Sequence, residues 1–250
     1  MIALVTGASS GIGEQLARQL SKQGYELVLV ARRRERLEAL AKELQGARVW
    51  VEDLTDPAAP ARLEQRVRAE GLELSVLVNN AGVGLSGAFA DNPIDQEAGM
   101  VMLNVLALQQ LTRRLLPLLR KGGRILNVAS TAGLQPVPMM ATYAATKAFV
   151  LSFSQSLGAE LAGTGITVTA LCPGPTRTEF VASAKAEGTK LFKPSNLTGA
   201  AEVARVGLEA MAKGRAVAIV GAKNRLLAWS GRFVPAAMLV RISQKLMAPA

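Results

Sequence analysis

The chain has 250 residues, half of them hydrophobic and 19% charged, which suits one globular domain with a large core. It holds no histidine and a single cysteine, Cys172. That removes Ser-His-Asp catalysis, histidine-ligated zinc or haem, internal disulfides and cysteine-cluster metal sites, so no metal is expected. Acid–base chemistry then falls to Tyr, Lys, Asp, Glu or Cys. The formal net charge of +10 suits a phosphorylated ligand, an anionic membrane surface or nucleic acid. The basic residues are scattered, however, and aromatics make up only 4% of the chain, so no nucleic-acid module is expected. No apolar run is long enough to span a bilayer. The chain enters a strand-like run at once rather than a signal peptide, and a cytoplasmic protein is the default expectation.

Ile2 to Val5 is a short apolar run fit for a buried parallel strand. Thr6-Gly7-Ala8-Ser9-Ser10-Gly11-Ile12-Gly13 follows, and a helical pattern runs from Glu14 to Gln23. A strand, a glycine-rich turn and a helix N-terminus together cradle a diphosphate through free N–H groups and a partial positive charge. The second strand, Glu26 to Val30, leads into Ala31-Arg32-Arg33-Arg34, with no carboxylate before Glu35. At the end of that strand an acidic residue would bind an adenosine 2′-hydroxyl, whereas an arginine favours a 2′-phosphate. NADP(H) is therefore expected over NAD(H), with Arg32 as the main phosphate partner and Arg33 or Ser10 assisting. A helix is expected from Arg34 to Gln45.

Strand three is placed at Ala47 to Val51. Asp53-Leu54 behind it either contacts the adenine or caps the next helix. Asp56-Pro57 is the better cap, opening a helix to about Ala69. Strand four, Ser75 to Val78, ends in Asn79-Asn80-Ala81-Gly82, whose small and amide side chains leave room for a flat ligand. Asn92-Pro93 opens a long helix to about Leu116. Within it Asn104 stands among apolar residues and is either a core bridge or a site residue. Strand five, Arg124 to Val128, ends at Ala129-Ser130, where strand C-termini converge on a ligand crevice.

Tyr143 and Lys147 are four apart in the helical run Ala141 to Leu161, which puts both on one face. A phenol has a pKa of about 10. A neighbouring ammonium favours the phenolate, making Tyr143 a candidate general acid/base. Strand six, Ile166 to Leu171, leaves through a rigid turn, Cys172-Pro173-Gly174-Pro175-Thr176-Arg177-Thr178. Cys172 reads as a small buried hydrophobe. The segment from about 178 to 198 has weak periodicity and is expected to be a mobile flap over the site. A helix, Gly199 to Met211, and strand seven, Ala216 to Val220, follow. Strands alternate with helices throughout, which predicts an α/β domain over residues 1–223 built on a doubly wound parallel sheet of seven strands, with helices on both faces.

Taken together, these motifs resemble the short-chain dehydrogenase/reductase superfamily over nearly the whole chain. Thr6 to Gly13 matches its cofactor motif and Asn79-Asn80-Ala81-Gly82 its sheet-stabilising motif. Asn104, Ser130, Tyr143 and Lys147 fall in the order of its catalytic tetrad, and Pro173-Gly174 with Thr176 and Thr178 matches the turn beside the nicotinamide. The resemblance implies a Rossmann-like fold and hydride exchange with a nicotinamide nucleotide. It further implies that Tyr143 moves the substrate proton, Lys147 lowers the Tyr143 pKa and holds the ribose, Ser130 donates to the carbonyl oxygen, and Asn104 holds a water. A homodimer or homotetramer is the family expectation.

Residues 224–250 depart from the family pattern. Leu239, Ile242 and Leu246 lie at i, i+3 and i+7, and Arg225, Arg232, Arg241 and Lys245 flank an apolar set that includes Leu226, Trp229 and Phe233. Pro235 should divide the segment. It either packs on this subunit or a neighbour, or contacts an anionic membrane surface or an apolar substrate. Three functions follow: an NADPH-dependent reductase of ketones or aldehydes, which is favoured; a membrane-associated lipid-pathway reductase of 3-oxoacyl or keto-lipid substrates; or a non-catalytic NADP-binding regulator.

Overall fold

The computed structural model describes residues 1–44, 46–230 and 234–248. In chain order the elements are β1 (Ile2–Thr6), α1 (Gly11–Lys22), β2 (Glu26–Ala31), α2 (Arg34–Glu43), β3 (Arg48–Val51), α3 (Ala59–Ala69) and β4 (Leu74–Asn79). Next come α4 (Ile94–Val101), a π-helical segment (Met102–Ala107), α5 (Leu108–Leu115), β5 (Leu119–Val128), α6 (Ala141–Glu160) and β6 (Thr167–Cys172). The chain continues through β7 (Thr176–Arg177), α7 (Phe180–Ser183), β8 (Thr198–Gly199), α8 (Ala200–Ala212), β9 (Val217–Ile219), α9 (Ala222–Ser230) and α10 (Ala236–Met247).

Seven strands form one parallel sheet in the order β3-β2-β1-β4-β5-β6-β9, as the alternation of elements predicts. The strands are apolar on both faces because both are covered. On one face Val5, Leu27, Leu29 and Val78 pack with Leu16 and Leu20 of α1 and with Val203 and Leu208 of α8. On the other, Leu4, Val28 and Leu77 pack with Leu63 of α3 and with Leu111 and Leu115 of α5. Each such leucine contributes about 1.5–3 kcal/mol by leaving water. The order reverses between β1 and β4, and a crevice opens at the strand C-termini there.

Several boundaries differ from expectation. Gln45, the expected end of α2, lies outside the described residues. The Asp56-Pro57 cap is displaced: Asp56 turns back to accept from the Ala58 N–H at 2.9 Å, and α3 starts at Ala59 with Pro60 in its first turn. β5 starts at Leu119, five residues before the expected Arg124, pairing Leu119 with Leu74. The expected flap contains short elements of its own. β7 and β8 pair at its base, α7 lies inside it, and its Lys190 and Leu191 N–H groups donate to the carbonyls of Ala248 and Leu246 at 3.1 and 2.9 Å. Pro235 divides the C-terminal segment, standing at the N-cap of α10. Arg232 and Phe233 of the expected stripe lie outside the described residues.

Candidate active site

A cleft of about 1000 Å³ runs along the strand C-termini from the β2–α2 junction to α10. Of the candidate residues, Gly7, Ser9, Ser10, Gly11, Ile12, Arg32, Arg33, Asp53, Leu54, Asn80, Ala81, Gly82, Ser130, Tyr143, Lys147, Pro173, Gly174, Thr176 and Thr178 all line it. Gly13 and Asn104 do not, and both lie just beneath it.

The glycine-rich turn is locked by the chain's own contacts. Gly7 and Gly11 take φ of 65° and 59°, which side chains resist. A Cβ on Gly13 would lie 2.3 Å from both the Gly7 carbonyl oxygen and Asn80 Nδ2. Gly13 therefore serves the packing of the turn onto β4 rather than facing a ligand. Asn80 is likewise turned inward, its Nδ2 donating to the Thr6 and Gly7 carbonyls at 2.9 and 3.2 Å. Thr6 Oγ accepts from the Asn80 and Ala81 N–H groups at 3.0 and 3.1 Å. Ser10 is the N-cap of α1 but makes no side-chain cap bond, so the helix N-terminus is left to an anion. A diphosphate fits this cradle.

At the end of β2 the two arginines make different contacts. Arg32 is exposed and its nearest carboxylate is Asp53, at 3.8 Å. Arg33 folds back over the turn instead: its Nη2 donates to Ser10 Oγ at 2.7 Å, and Nε and Nη2 each reach Ser9 Oγ at 3.2 Å. Asp53 accepts from the Thr55 N–H and hydroxyl at 2.9 and 2.8 Å, a turn-forming role that leaves it on the cleft wall.

At the other end lie Ser130, Tyr143 and Lys147, all buried. α6 presents Tyr143 and Lys147 on one face, and the Lys147 ammonium lies 5.8 Å from the Tyr143 ring centroid. Its Nζ donates to the Val128 carbonyl at 2.8 Å. Gly133 lets α6 approach, since a Cβ there would lie 2.6 Å from the Lys147 backbone carbonyl. Ser130 Oγ accepts from the Ala132 N–H at 3.1 Å, and its own O–H reaches the Pro173 carbonyl only at 3.5 Å, a weak bond. Asn104 takes the bridging alternative. Its Oδ1 accepts from the Val83 N–H at 3.0 Å, and its Nδ2 donates to the Val83 carbonyl and Thr146 Oγ at 2.9 and 3.1 Å. It sits in the π-helical segment and ties the end of β4 to α6.

The electrostatics correct one expectation. Burial pushes the Tyr143 phenol up to about 12, partly opposed by a hydrogen bond with Ser130, so the ammonium does not prime it in the chain by itself. Burial also pulls Lys147 down to about 8, with the Cys172 thiol acting the other way. Burial is the largest cause at both groups, because both have left water. Cys172, buried as expected, is itself pushed up to about 12 by burial.

Sequence reasoning missed three participants. Phe180 of α7 lies against Tyr143 with ring centroids 5.3 Å apart. Glu179 accepts from Arg33 Nη1 at 2.7 Å and also pairs with Arg36. Asn224 of α9 packs on Gly174, where a Cβ would lie 2.5 Å from its Nδ2. No local pattern marks any of them. The C-terminal stripe does carry a signal: Leu239, Ile242, Ser243 and Met247 of α10 line the cleft, and Met247 is buried with Leu85, Met140 and Tyr143.

Residues 1–189 match the family described as short chain dehydrogenase. The chain belongs to the short-chain dehydrogenase family. Among its relatives is a protein named putative ketoacyl reductase from Streptomyces coelicolor, 39% identical over 202 residues that cover 78% of this chain and 77% of that one. A sulfoacetaldehyde reductase from Chromohalobacter salexigens is 41% identical over 189 residues, covering 70% and 72%. A short-chain dehydrogenase from Sphingobium yanoikuyae, solved in complex with NADPH, superposes with a TM-score of 0.82 at 35% identity, covering 93% of each chain. Among the described residues this short-chain dehydrogenase has no cluster of potential metal ligands, and none of its helices is long and apolar enough to cross a membrane.

Proposed function

We propose that the chain is an NADPH-dependent reductase of ketone or aldehyde carbonyls. The observation that carries this is the shape of one cleft. It joins an anion cradle with an arginine-bearing end to a buried Ser130–Tyr143–Lys147 group. The NADPH in the Sphingobium relative and the reductase names of the two sequence relatives support the same reading.

When bound, the nicotinamide supplies the hydride. The rest falls to the chain. Ser130 presents its weakly engaged O–H to the carbonyl oxygen, where negative charge develops. Tyr143, a phenol protonated at neutral pH and made harder to ionise by burial, gives its phenolic proton to that oxygen. Lys147, still largely charged at neutral pH, stabilises the phenolate left behind. Asn104 holds the β4 end and α6 in register so that these three side chains meet. Arg33, with Arg32, Ser9 and Ser10 nearby, meets a 2′-phosphate at the far end, and Asp53 and Leu54 border the adenine.

The test is NADPH oxidation across a panel of ketones, aldehydes and acyl thioesters, with Tyr143→Phe alongside. We expect turnover with at least one carbonyl class, a loss of about 10³-fold or more in the variant, and unchanged NADPH binding. Residual turnover within tenfold of wild type removes Tyr143 from its role, and silence across the whole panel favours a non-catalytic NADP-binding regulator.

One observation favours a second reading, a reductase of 3-oxoacyl or other keto-lipid substrates at a membrane. Leu191, Phe192, Leu239, Ile242, Leu246 and Met247 give the substrate end an apolar roof. Leu226 and Met238 are also exposed on α9 and α10, beside Arg225 and Arg241. Co-sedimentation with anionic vesicles separates the two: a chain that stays in the supernatant rules out the membrane version.

A further inference from the structure

The geometry points to Glu179 as a residue that sets cofactor affinity by competing with the 2′-phosphate for Arg33 and Arg36, and that ties the flap to the cofactor end of the cleft. The assignment presupposes the NADPH reading given above, specifically that the phosphate meets Arg33.

Arg33 is the guanidinium that leans over the glycine-rich turn, and it has five N–H donors in a fixed fork. One edge holds Ser9 and Ser10, while Nη1 points to Glu179 Oε2 at 2.7 Å. Arg36, one turn into α2, takes the other carboxylate oxygen, Oε1. Glu179 thus presents two negatively charged oxygens to two arginines, the arrangement a phosphate would use. These hydrogen bonds hold its carboxyl below the usual carboxylate range, so it is charged at any working pH. An incoming phosphate meets this carboxylate and shares or displaces it; either way the carboxylate weakens phosphate binding while leaving a nucleotide without that phosphate unaffected.

The second part follows from chain position. Glu179 is the N-cap residue of α7, and the next residue, Phe180, rests on the Tyr143 ring at 5.3 Å. Phe180 also fills the space over Gly84, where a Cβ would lie 2.4 Å from its ring. One peptide unit therefore connects the arginine pair at the adenosine end with the aromatic wall beside the reacting phenol. Releasing Glu179 from Arg33 frees the base of the flap at the moment the cofactor is seated.

The experiment uses the full chain and direct binding, without turnover. Dissociation constants for NADPH and NADH are measured by calorimetry for wild type, Glu179→Gln and Arg33→Ala. Glu179→Gln keeps the side-chain shape at an exposed site and removes the charge. We expect it to bind NADPH about three- to tenfold more tightly with NADH unchanged, a shift of the size expected for exposed ion pairs. We also expect faster tryptic cleavage after Lys185 and Lys190 in the ligand-free variant than in ligand-free wild type. Unchanged or weaker NADPH binding in Glu179→Gln overturns the competition, and unchanged cleavage overturns the tie to the flap. Arg33→Ala separates the two levels. If it weakens NADPH selectively while Glu179→Gln does nothing, only this inference fails. If Arg33→Ala leaves the NADPH-to-NADH ratio unaltered, the phosphate does not meet Arg33, and both fall.

Discussion

Replacing Lys147 by methionine should make the protein more stable and inactive. Lys147 is 6% exposed, and burial draws its ammonium from 10.5 down to about 8. A drop of roughly 2.5 units corresponds to about 3 kcal/mol of destabilisation carried by the charged form in the fold. The methionine leaves the Val128 carbonyl without the donor it has at 2.8 Å, which costs about 1 kcal/mol. The net expectation at pH 7 is a variant about 2 kcal/mol more stable than wild type. The pH dependence fixes the cause. Between about 8 and 10.5 the folded lysine has lost its proton while the unfolded one keeps it. The unfolded state then binds more protons, so wild-type stability rises with pH relative to the variant. The gap should shrink by about 2–3 kcal/mol between pH 7 and pH 10. Tyr143 and Cys172, both pushed up to about 12, act in the opposite direction, since their folded forms keep protons that the unfolded chain releases. Both groups are present in each protein, and carrying Cys172→Ala in both backgrounds removes the thiol's coupling to Lys147. The assay is urea unfolding followed by circular dichroism at the two pH values. A variant less stable than wild type at pH 7, with a difference that does not move with pH, would show that the ammonium is fully compensated and that burial does not govern this pair.

Two further outcomes test the geometry around Tyr143. Gly133→Ala drives a Cβ to within 2.6 Å of the Lys147 backbone, so α6 must shift; thermal unfolding should fall by several degrees and turnover by tenfold or more, while an unchanged Tm shows that the loop yields instead. Met247→Asp places a charge in the cluster of Leu85, Met140 and Tyr143, loosening α10 from the substrate end. KM for an apolar ketone should rise at least about tenfold with the NADPH dissociation constant unaltered, and an unchanged KM removes α10 from the substrate site.

The sheet was legible because its central strands β1, β2 and β4 are short apolar runs buried on both faces, and runs of that kind have few alternatives. The site was legible where spacing carries the geometry. Tyr143 and Lys147 meet because a helix places residues four apart on one face, and the turn from Thr6 to Gly13 is local in sequence. Arg32 and Arg33 both line the cleft, but their different contacts there could not be read from the sequence. Successive residues of an extended chain point to opposite sides, and what each one meets depends on how the strand leaves the sheet. The Asp56-Pro57 cap failed for a related reason. Asp56 satisfies a turn of its own first, and the helix begins only after it.

What could not be read is what depends on contacts distant in sequence or on burial. Glu179 and Arg33 are 146 positions apart. Neither residue type is unusual where it stands, and only the folded chain brings the flap base against the end of β2. The direction in which burial shifts Tyr143 and Lys147 was out of reach for the same kind of reason. Spacing shows that a phenol and an ammonium are neighbours, but the sign of the outcome depends on how much water each has lost. In the ligand-free cleft desolvation dominates, which keeps the phenol protonated and weakens the lysine's hold on its proton. Under the proposed reading, a site in that state would give a proton to a carbonyl oxygen. Taking one from an alcohol would require the phenol to ionise, and the positive charge of an oxidised nicotinamide would favour that. On the proposed reading, the protonation state of Tyr143 would follow the oxidation state of the cofactor, and reduction would be the direction that the ligand-free chain favours.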